Sequence, residues 1–134
     1  MTKFMLLQRY EGGENCRVPM TEWTPQDIQA HIDFQVALNK ELLEAGELVD
    51  AQGLAGPELA RRVVSAGDGV PVVTDGPFPE YKELLAGYRM IDVESEARAL
   101  QIAAQASAAP GPDGVPIGQP IEVRQVMGVP EPEL

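Results

Sequence analysis

The first half of the chain combines a short apolar run with a long amphipathic stretch. Residues 4–10 form an apolar run that ends at a Gly-rich polar turn, which predicts a buried first strand. Thr24 can cap a helix that begins at Pro25, and Gly46 is typical of a helix end. At about 100° per residue the apolar side chains of this helix occupy one broad arc, which predicts packing on a flat surface. They are Ile28, Ile32, Phe34, Val36, Leu38, Leu42 and Leu43.

The second half of the chain carries further β-rich runs and one more helix. The sequence predicts strands at 47–52, 87–93 and 121–127, a hairpin at 61–66 and 70–74, and a helix from the Ser95 cap to about residue 106. This second helix is rich in alanine, so it can lie close to a sheet. Residues 107–120 contain four prolines and predict a loop.

The order of these elements predicts an α+β fold. Without the inserted hairpin the order is βαββαβ, which is the ferredoxin-like arrangement of an antiparallel sheet with both helices on one face. The other face of such a sheet stays apolar unless something covers it, and a second copy of the chain is the usual solution. We therefore expect a homodimer.

Length and composition predict a single globular domain. The chain has 134 residues, of which 44% are hydrophobic and 23% are charged. We expect one domain over residues 1–128 and a flexible tail over 129–134, where Pro130 and Pro132 lie. The formal net charge of −11 would repel phosphate backbones and anionic lipids, so we expect neither nucleic acid nor membrane as a partner.

Several classes of chemistry have no motif in this sequence. Cys16 is the single cysteine, which excludes an internal disulfide and favours the cytoplasm. The first apolar run is too short for a signal peptide. The chain has no His-x-x-x-His spacing, no phosphate-binding Gly-rich loop and no Gly-x-Ser-x-Gly elbow. We therefore expect no metal and no cofactor.

Residues 73–83 carry the most specific motif of the chain, which reads Val-Thr-Asp-Gly-Pro-Phe-Pro-Glu-Tyr-Lys-Glu. Gly76 can take positive φ and Pro77 fixes its own, so the segment predicts a turn that holds the Asp75 carboxylate in a set direction. This segment resembles the Asp-Gly-Pro-Phe signature of the YCII-related (DGPF-domain) proteins, and the resemblance spans nearly the whole chain. It implies a dimeric α/β barrel and a His-Asp pair in a cleft, with the histidine on the first helix.

His31 and Asp75 are the candidate catalytic residues. His31 is the only histidine and lies within the apolar arc of the first helix, where a polar side chain needs a partner or a pocket. In one interpretation Asp75 orients His31, which acts as a general acid or base. In the other, His31 bonds a backbone carbonyl and Asp75 only accepts N–H bonds within its turn. The sequence leaves both open.

Four further residues are candidates for substrate binding: Gln35, Phe78, Tyr81 and Lys82. Gln35 lies one helical turn after His31, and Lys82 could bind an anion or form an exposed ion pair of little energetic value. Phe78 could equally be a buried anchor of the turn. On the last strand Glu122 and Arg124 alternate with apolar residues, so they share one face, and we expect an ion pair at the dimer interface.

Two functions from different classes fit these residues. The first is a cofactor-independent acid/base enzyme that acts on a small organic molecule through His31 and Asp75. The resemblance supports it, since the wider dimeric barrel superfamily includes isomerases, dehydrochlorinases and small monooxygenases. The second is a non-catalytic dimeric binding or regulatory module, for example an accessory to an extracytoplasmic-function sigma factor, whose basic surface an acidic dimer would complement.

Overall fold

The computed structural model describes residues 1–10, 12–13, 16, 18–75 and 83–129. Within these residues the chain forms six strands and two helices. They are β1 (Thr2–Arg9), α1 (Pro25–Glu44), β2 (Leu48–Gly53), β3 (Arg61–Ser65), β4 (Pro71–Asp75), β5 (Leu85–Val93), α2 (Glu96–Ser107) and β6 (Ile121–Gln125). Each predicted boundary lies within about two residues of the observed one, the usual scatter of helix ends.

Four strands form one antiparallel sheet in the order β2-β5-β1-β6, and β3 pairs with β4 in a separate hairpin. Each helix joins two strands that have one other strand between them. The two helices cross the same face of the sheet, as crossovers in a βαββαβ unit do. The predicted α+β, ferredoxin-like fold with an inserted hairpin is confirmed.

The ends of both helices form as the sequence predicts. The Thr24 hydroxyl accepts the backbone N–H of Asp27 at 3.2 Å, and the Ser95 hydroxyl accepts that of Arg98 at the same distance. Each bond satisfies one of the N–H groups that a helix start leaves without a partner. Gly46 follows α1 with φ of +73°, which reverses the chain into β2.

The core lies between the two helices and the sheet. It consists of Phe4, Leu6, Leu38, Leu42, Ile91, Val93, Ala99, Ile102, Ala103 and Ala106. Three alanines of α2 belong to this core, so the helix packs on the sheet partly through small side chains. The apolar arc of α1 is narrower than predicted, because Ile32, Val36 and Leu43 are 45–64% exposed.

Two glycines face each other across β2 and β5, on the side of the sheet that the helices cover. Gly53 pairs with Gly87, and the next pair on the same face of the sheet is Ala51 with Arg89. A Cβ on Gly87 would lie 2.8 Å from the carbonyl oxygen of Gln52, whereas a Cβ on Gly53 would meet nothing within 4 Å. The sheet therefore has a stretch without side chains beside Arg89.

We expect these glycines to differ in their tolerance of a methyl group. Gly87→Ala forces β2 and β5 apart and should lower the free energy of unfolding by about 1–3 kcal/mol. Gly53→Ala is the matched control and should change it by less than about 0.5 kcal/mol. Urea denaturation of both variants measures this difference, and equal midpoints would contradict the close approach at Gly87.

Candidate functional site

A cleft of about 1340 Å³ lies beside the two glycines, between α1 and the adjoining end of the sheet. Gly53 and Gly87 both line it. The loops that precede α1 and β6 complete its wall, with Val18, Met20 and Trp23 from the first loop and Ile117 from the second. The cleft thus combines a side-chain-free stretch of sheet with an apolar wall.

The inward face of α1 carries two rows of side chains, one polar and one apolar. His31, Gln35 and Asn39 follow each other at four-residue spacing and line the cleft. Leu38 and Leu42, with Phe34 packed against them, belong to the core. One helix therefore provides a polar wall for the cleft and an apolar anchor for the fold.

Both ring nitrogens of His31 have a partner. Nδ1 lies 3.0 Å from the carbonyl oxygen of Pro110, and Nε2 lies 3.2 Å from Nε2 of Gln35. A carbonyl oxygen only accepts, so Nδ1 carries the proton. The Gln35 amide then donates to the lone pair on His31 Nε2. Both bonds fit a ring that has its proton on Nδ1 and a lone pair on Nε2.

Arg89 fixes the direction of this hydrogen-bond chain. Its Nη2 donates to Oε1 of Gln35, and its Nε donates to Oδ1 of Asn39 at 2.7 Å. Because arginine has only donors, the oxygen of Gln35 must face Arg89 and its NH₂ group must face His31. We call the chain from Arg89 through Gln35 and His31 to Pro110 the relay. All its donors point one way, from the guanidinium toward the Pro110 carbonyl.

Arg89 is a buried cation whose hydrogen-bond partners among the described residues are neutral amides. It is 5% exposed and lines the cleft. Burial lowers the pKa of Arg89 from its ordinary value, although an arginine stays charged in proteins. Sequence reasoning did not single it out. The signal was present, because Arg89 alternates with Gly87, Ile91 and Val93 and so shares their face of the strand.

Trp23 packs against His31 from the loop before α1. The two ring centroids are 5.6 Å apart, and the rings meet edge to face at 78°. The indole N–H donates to the carbonyl oxygen of Val18 at 2.9 Å, which holds the ring in place. Trp23 is the only tryptophan of the chain, so its signals report on this wall of the cleft alone.

The remaining charged side chains at the cleft include one ion pair and an acidic residue beside a tyrosine. Arg9 donates to Glu122 at 3.0 Å and to the Glu83 carbonyl at 2.7 Å. Burial, and then the Glu58 carboxylate, raise the pKa of Tyr10, whose hydroxyl donates to a backbone carbonyl. Arg9 is thus already neutralised. The pairing also gives Glu122 a partner within its own chain, where we expected one at the dimer interface.

The structure brings together two of the predicted site residues, His31 and Gln35. Asp75 lies at the end of β4, where it forms an exposed ion pair with Arg61 at 2.6 Å, and it is not among the residues that line the cleft. The hydrogen bonds of His31 go to Gln35 and Pro110 instead. The joint role of His31 and Asp75 in proton transfer stays a prediction. Phe78, Tyr81 and Lys82, with the rest of residues 76–82, lie outside the described residues.

The described residues contain neither a cluster of metal ligands nor a membrane-spanning helix. No three His, Cys, Asp or Glu side chains within these ranges converge on a position that could hold a metal ion. Neither α1 nor α2 is both long and apolar enough to cross a membrane.

Comparison with known proteins places the chain in a family. It is 32% identical over 87 residues to an uncharacterised protein of Rhizobium meliloti (strain 1021), an alignment that covers 65% of this chain and 69% of the relative. The sequence profile of the YCII-related domain matches residues 2–115. The fold described above is consistent with both matches. The chain belongs to the YCII-related domain family.

Proposed function

We propose that the cleft binds a small organic molecule and that His31 exchanges a proton with it through Nε2. The observation that carries this proposal is the relay. It presents a neutral imidazole beside a cleft, with the basic nitrogen held in a fixed direction by the Gln35 amide. A general base must lie within hydrogen-bond reach of the proton it removes, and a ligand that takes the place of the Gln35 amide meets this condition.

The composition of the cleft supports an organic ligand. Binding sites for small molecules are mainly apolar with a few convergent polar groups. Here Trp23, Met20 and Ile117 supply apolar surface, and His31 and Arg89 supply polar groups. The volume of about 1340 Å³ exceeds the roughly 300–1,000 Å³ typical of such sites, which leaves room for a ligand and water.

The proposed proton transfer changes one bond of the relay. When Nε2 of His31 accepts a proton, the ring becomes a cation with donors on both nitrogens. Nδ1–H still donates to Pro110, but Nε2–H can no longer accept from Gln35. The ligand anion formed in the same step is then the natural acceptor for Nε2–H. Asp75 enters this proposal as the partner that the family resemblance implies, and its contribution is tested separately below.

We expect His31 to be the Nδ1–H tautomer whenever the ring is neutral, because the hydrogen bond at one nitrogen sets the proton on the other. Long-range ¹H–¹⁵N NMR spectra distinguish the two nitrogens, and with one histidine the assignment is unambiguous. Gln35→Leu removes the donor to Nε2 and should allow the other tautomer. Gln29→Leu, which removes an exposed glutamine on the same helix, is the control. A proton on Nε2 in the wild type would overturn the relay.

We expect small organic compounds to shift the NMR signals of the Trp23 indole and the His31 ring. The screen uses small aromatic and aliphatic acids, their amides and phenols. Gly53→Leu should abolish the shifts, because its side chain would project into the open space where a Cβ of Gly53 meets no atom. Ala104→Leu adds similar bulk at an exposed position of α2 and should leave them unchanged.

Proton exchange separates the enzyme from the binding module. Compounds that bind and carry a C–H group next to a carbonyl are incubated with the protein in D₂O. The wild type should replace this hydrogen by deuterium, and His31→Gln should bind the same compounds without exchange. If Asp75 assists His31, Asp75→Asn slows the exchange as well. If compounds bind but none of them exchanges its hydrogen, the result favours the non-catalytic module. If no compound binds, the cleft has no ligand role.

We also propose that the protein is a homodimer that associates through the sheet face opposite the helices. Met5 pairs with Met90 and Leu7 with Tyr88 on that face, and all four are partly exposed in the single chain. Charged residues surround them, namely Lys3, Asp50, Asp92, Glu122 and Arg124. An apolar centre with a polar rim is the usual composition of a protein interface.

We expect Met90→Glu to convert this dimer into a monomer, because it places a charge without a partner at the centre of the buried patch. Size-exclusion chromatography with light scattering measures the mass. Val36→Glu is the control, since Val36 is 62% exposed on the outer face of α1. A monomeric wild type contradicts the homodimer, and a monomer with Val36→Glu but not with Met90→Glu moves the interface to α1.

A further inference from the structure

We propose that Arg89 makes the cleft selective for a small organic monocarboxylate. The inference rests on the proposed function, because it names the class of molecule that the same cleft binds. It depends on three features of the described residues: the donors that Arg89 has left, the charges around it, and the surface that faces it.

Arg89 keeps donors for a ligand. A guanidinium has five N–H donors, and the bonds to Asn39 and Gln35 use two of them, one on Nε and one on Nη2. This leaves three, two on Nη1 and one on Nη2. Two N–H groups on neighbouring nitrogens of a guanidinium match the two oxygens of a carboxylate. Arg89 is 95% buried and lines the cleft, so a group that binds these donors is shielded from water.

Arg89 also lacks a counterion among the described residues. A buried charge without a partner is costly, and natural proteins keep such groups mainly where they pair or bind something. The other arginine at the cleft, Arg9, already pairs with Glu122 at 3.0 Å. Glu58 and Glu83 line the cleft too and would repel a doubly charged anion. The balance of charge therefore favours a ligand with a single negative charge.

The surface around Arg89 favours an organic anion over an inorganic one. The rings of Trp23 and His31 meet edge to face, so an aromatic surface lies beside the relay. The side-chain amide of Gln35 forms hydrogen bonds with both His31 and Arg89. A carboxylate on Arg89 thus lies one side-chain amide away from His31 Nε2. Its carbon skeleton would extend over the Gly53–Gly87 floor, where no side chain intervenes. Inorganic phosphate would leave this apolar surface without contact.

The test compares benzoate with benzamide, which has nearly the same shape but no charge. Titrations follow the Trp23 indole and His31 signals in the wild type, Arg89→Gln and Arg62→Gln. The wild type should bind benzoate about 10- to 100-fold more tightly than benzamide, the usual range for one hydrogen-bonded charge. Arg89→Gln should lose this preference. Arg62→Gln removes an exposed arginine of the β3–β4 hairpin and should keep it.

A second readout does not depend on the NMR signals. A ligand that binds only the folded state raises the melting temperature. Benzoate should do so for the wild type and Arg62→Gln but not for Arg89→Gln, and inorganic phosphate should have no such effect on any of them. If Arg89→Gln does not fold, Arg89→Lys takes its place, because it keeps the charge but loses the paired donors and should also weaken benzoate binding.

The outcomes separate this inference from the proposed function. Equal affinity of the wild type for benzoate and benzamide would overturn the carboxylate site and leave the cleft as a binding site for neutral molecules. An unchanged preference in Arg89→Gln would assign the selectivity to another cation and overturn the role of Arg89. No binding of benzoate, benzamide or any other compound of the screen, phenols included, would overturn both proposals.

Discussion

The hydrogen bonds from Arg89 to Gln35 and Asn39 organise the candidate site. A guanidinium on a central strand of the sheet reaches two amides on consecutive turns of α1, so it fixes how the helix sits over β5. Amides satisfy its hydrogen-bonding groups but leave its charge in place. The strand and helix are therefore joined by hydrogen bonds from a charged group that has no counterion among the described residues. Both the position of His31 and the character of the cleft follow from this contact.

The polar and apolar rows on the inward face of α1 explain why a cleft exists at all. A helix that carried leucine or isoleucine at positions 31, 35 and 39 would pack onto the sheet along its whole length. Here the apolar packing involves Leu38, Leu42 and the partly buried Phe34, and Gly53 and Gly87 remove side chains from the sheet beside the polar row. Gly87, which lets β5 approach the Gln52 carbonyl of β2, thus also helps Gly53 to keep the floor of the cleft clear.

The elements of the fold could be predicted because their signals are local. The helix caps Thr24 and Ser95 can be recognised directly in the sequence. The spacing of Leu38 and Leu42 indicates which face of α1 is buried. The site could be predicted only in part. His31 and Gln35 are one helical turn apart, so their contact is local as well. Pro110 contacts His31 across 79 positions of sequence through a loop with no periodic pattern, and nothing short of the fold reveals it.

Arg89 was not predicted as a site residue, and the reason differs from that for Pro110. Its place in the strand was predicted, and its alternation with Ile91 and Val93 already puts it on the core face. A charged residue in such a position conflicts locally with the fold, and conflicts of this kind concentrate at functional sites. Motif searches do not find them, because they look for known combinations of residues. A scan of predicted strands for charges on the buried face would have found Arg89.

The direction of the relay also links recognition to chemistry. The proposed carboxylate would bind the Arg89 donors that Gln35 and Asn39 leave free, and by neutralising the guanidinium it would weaken the charge-assisted hydrogen bond from Nη2 to Gln35 Oε1. Gln35 would then hold its NH₂ less firmly toward His31, and the lone pair on Nε2 would become available to the ligand. Anion binding at Arg89 would then release the base at His31. A neutral ligand would leave the relay closed, so the buried charge would serve both affinity and the timing of proton transfer.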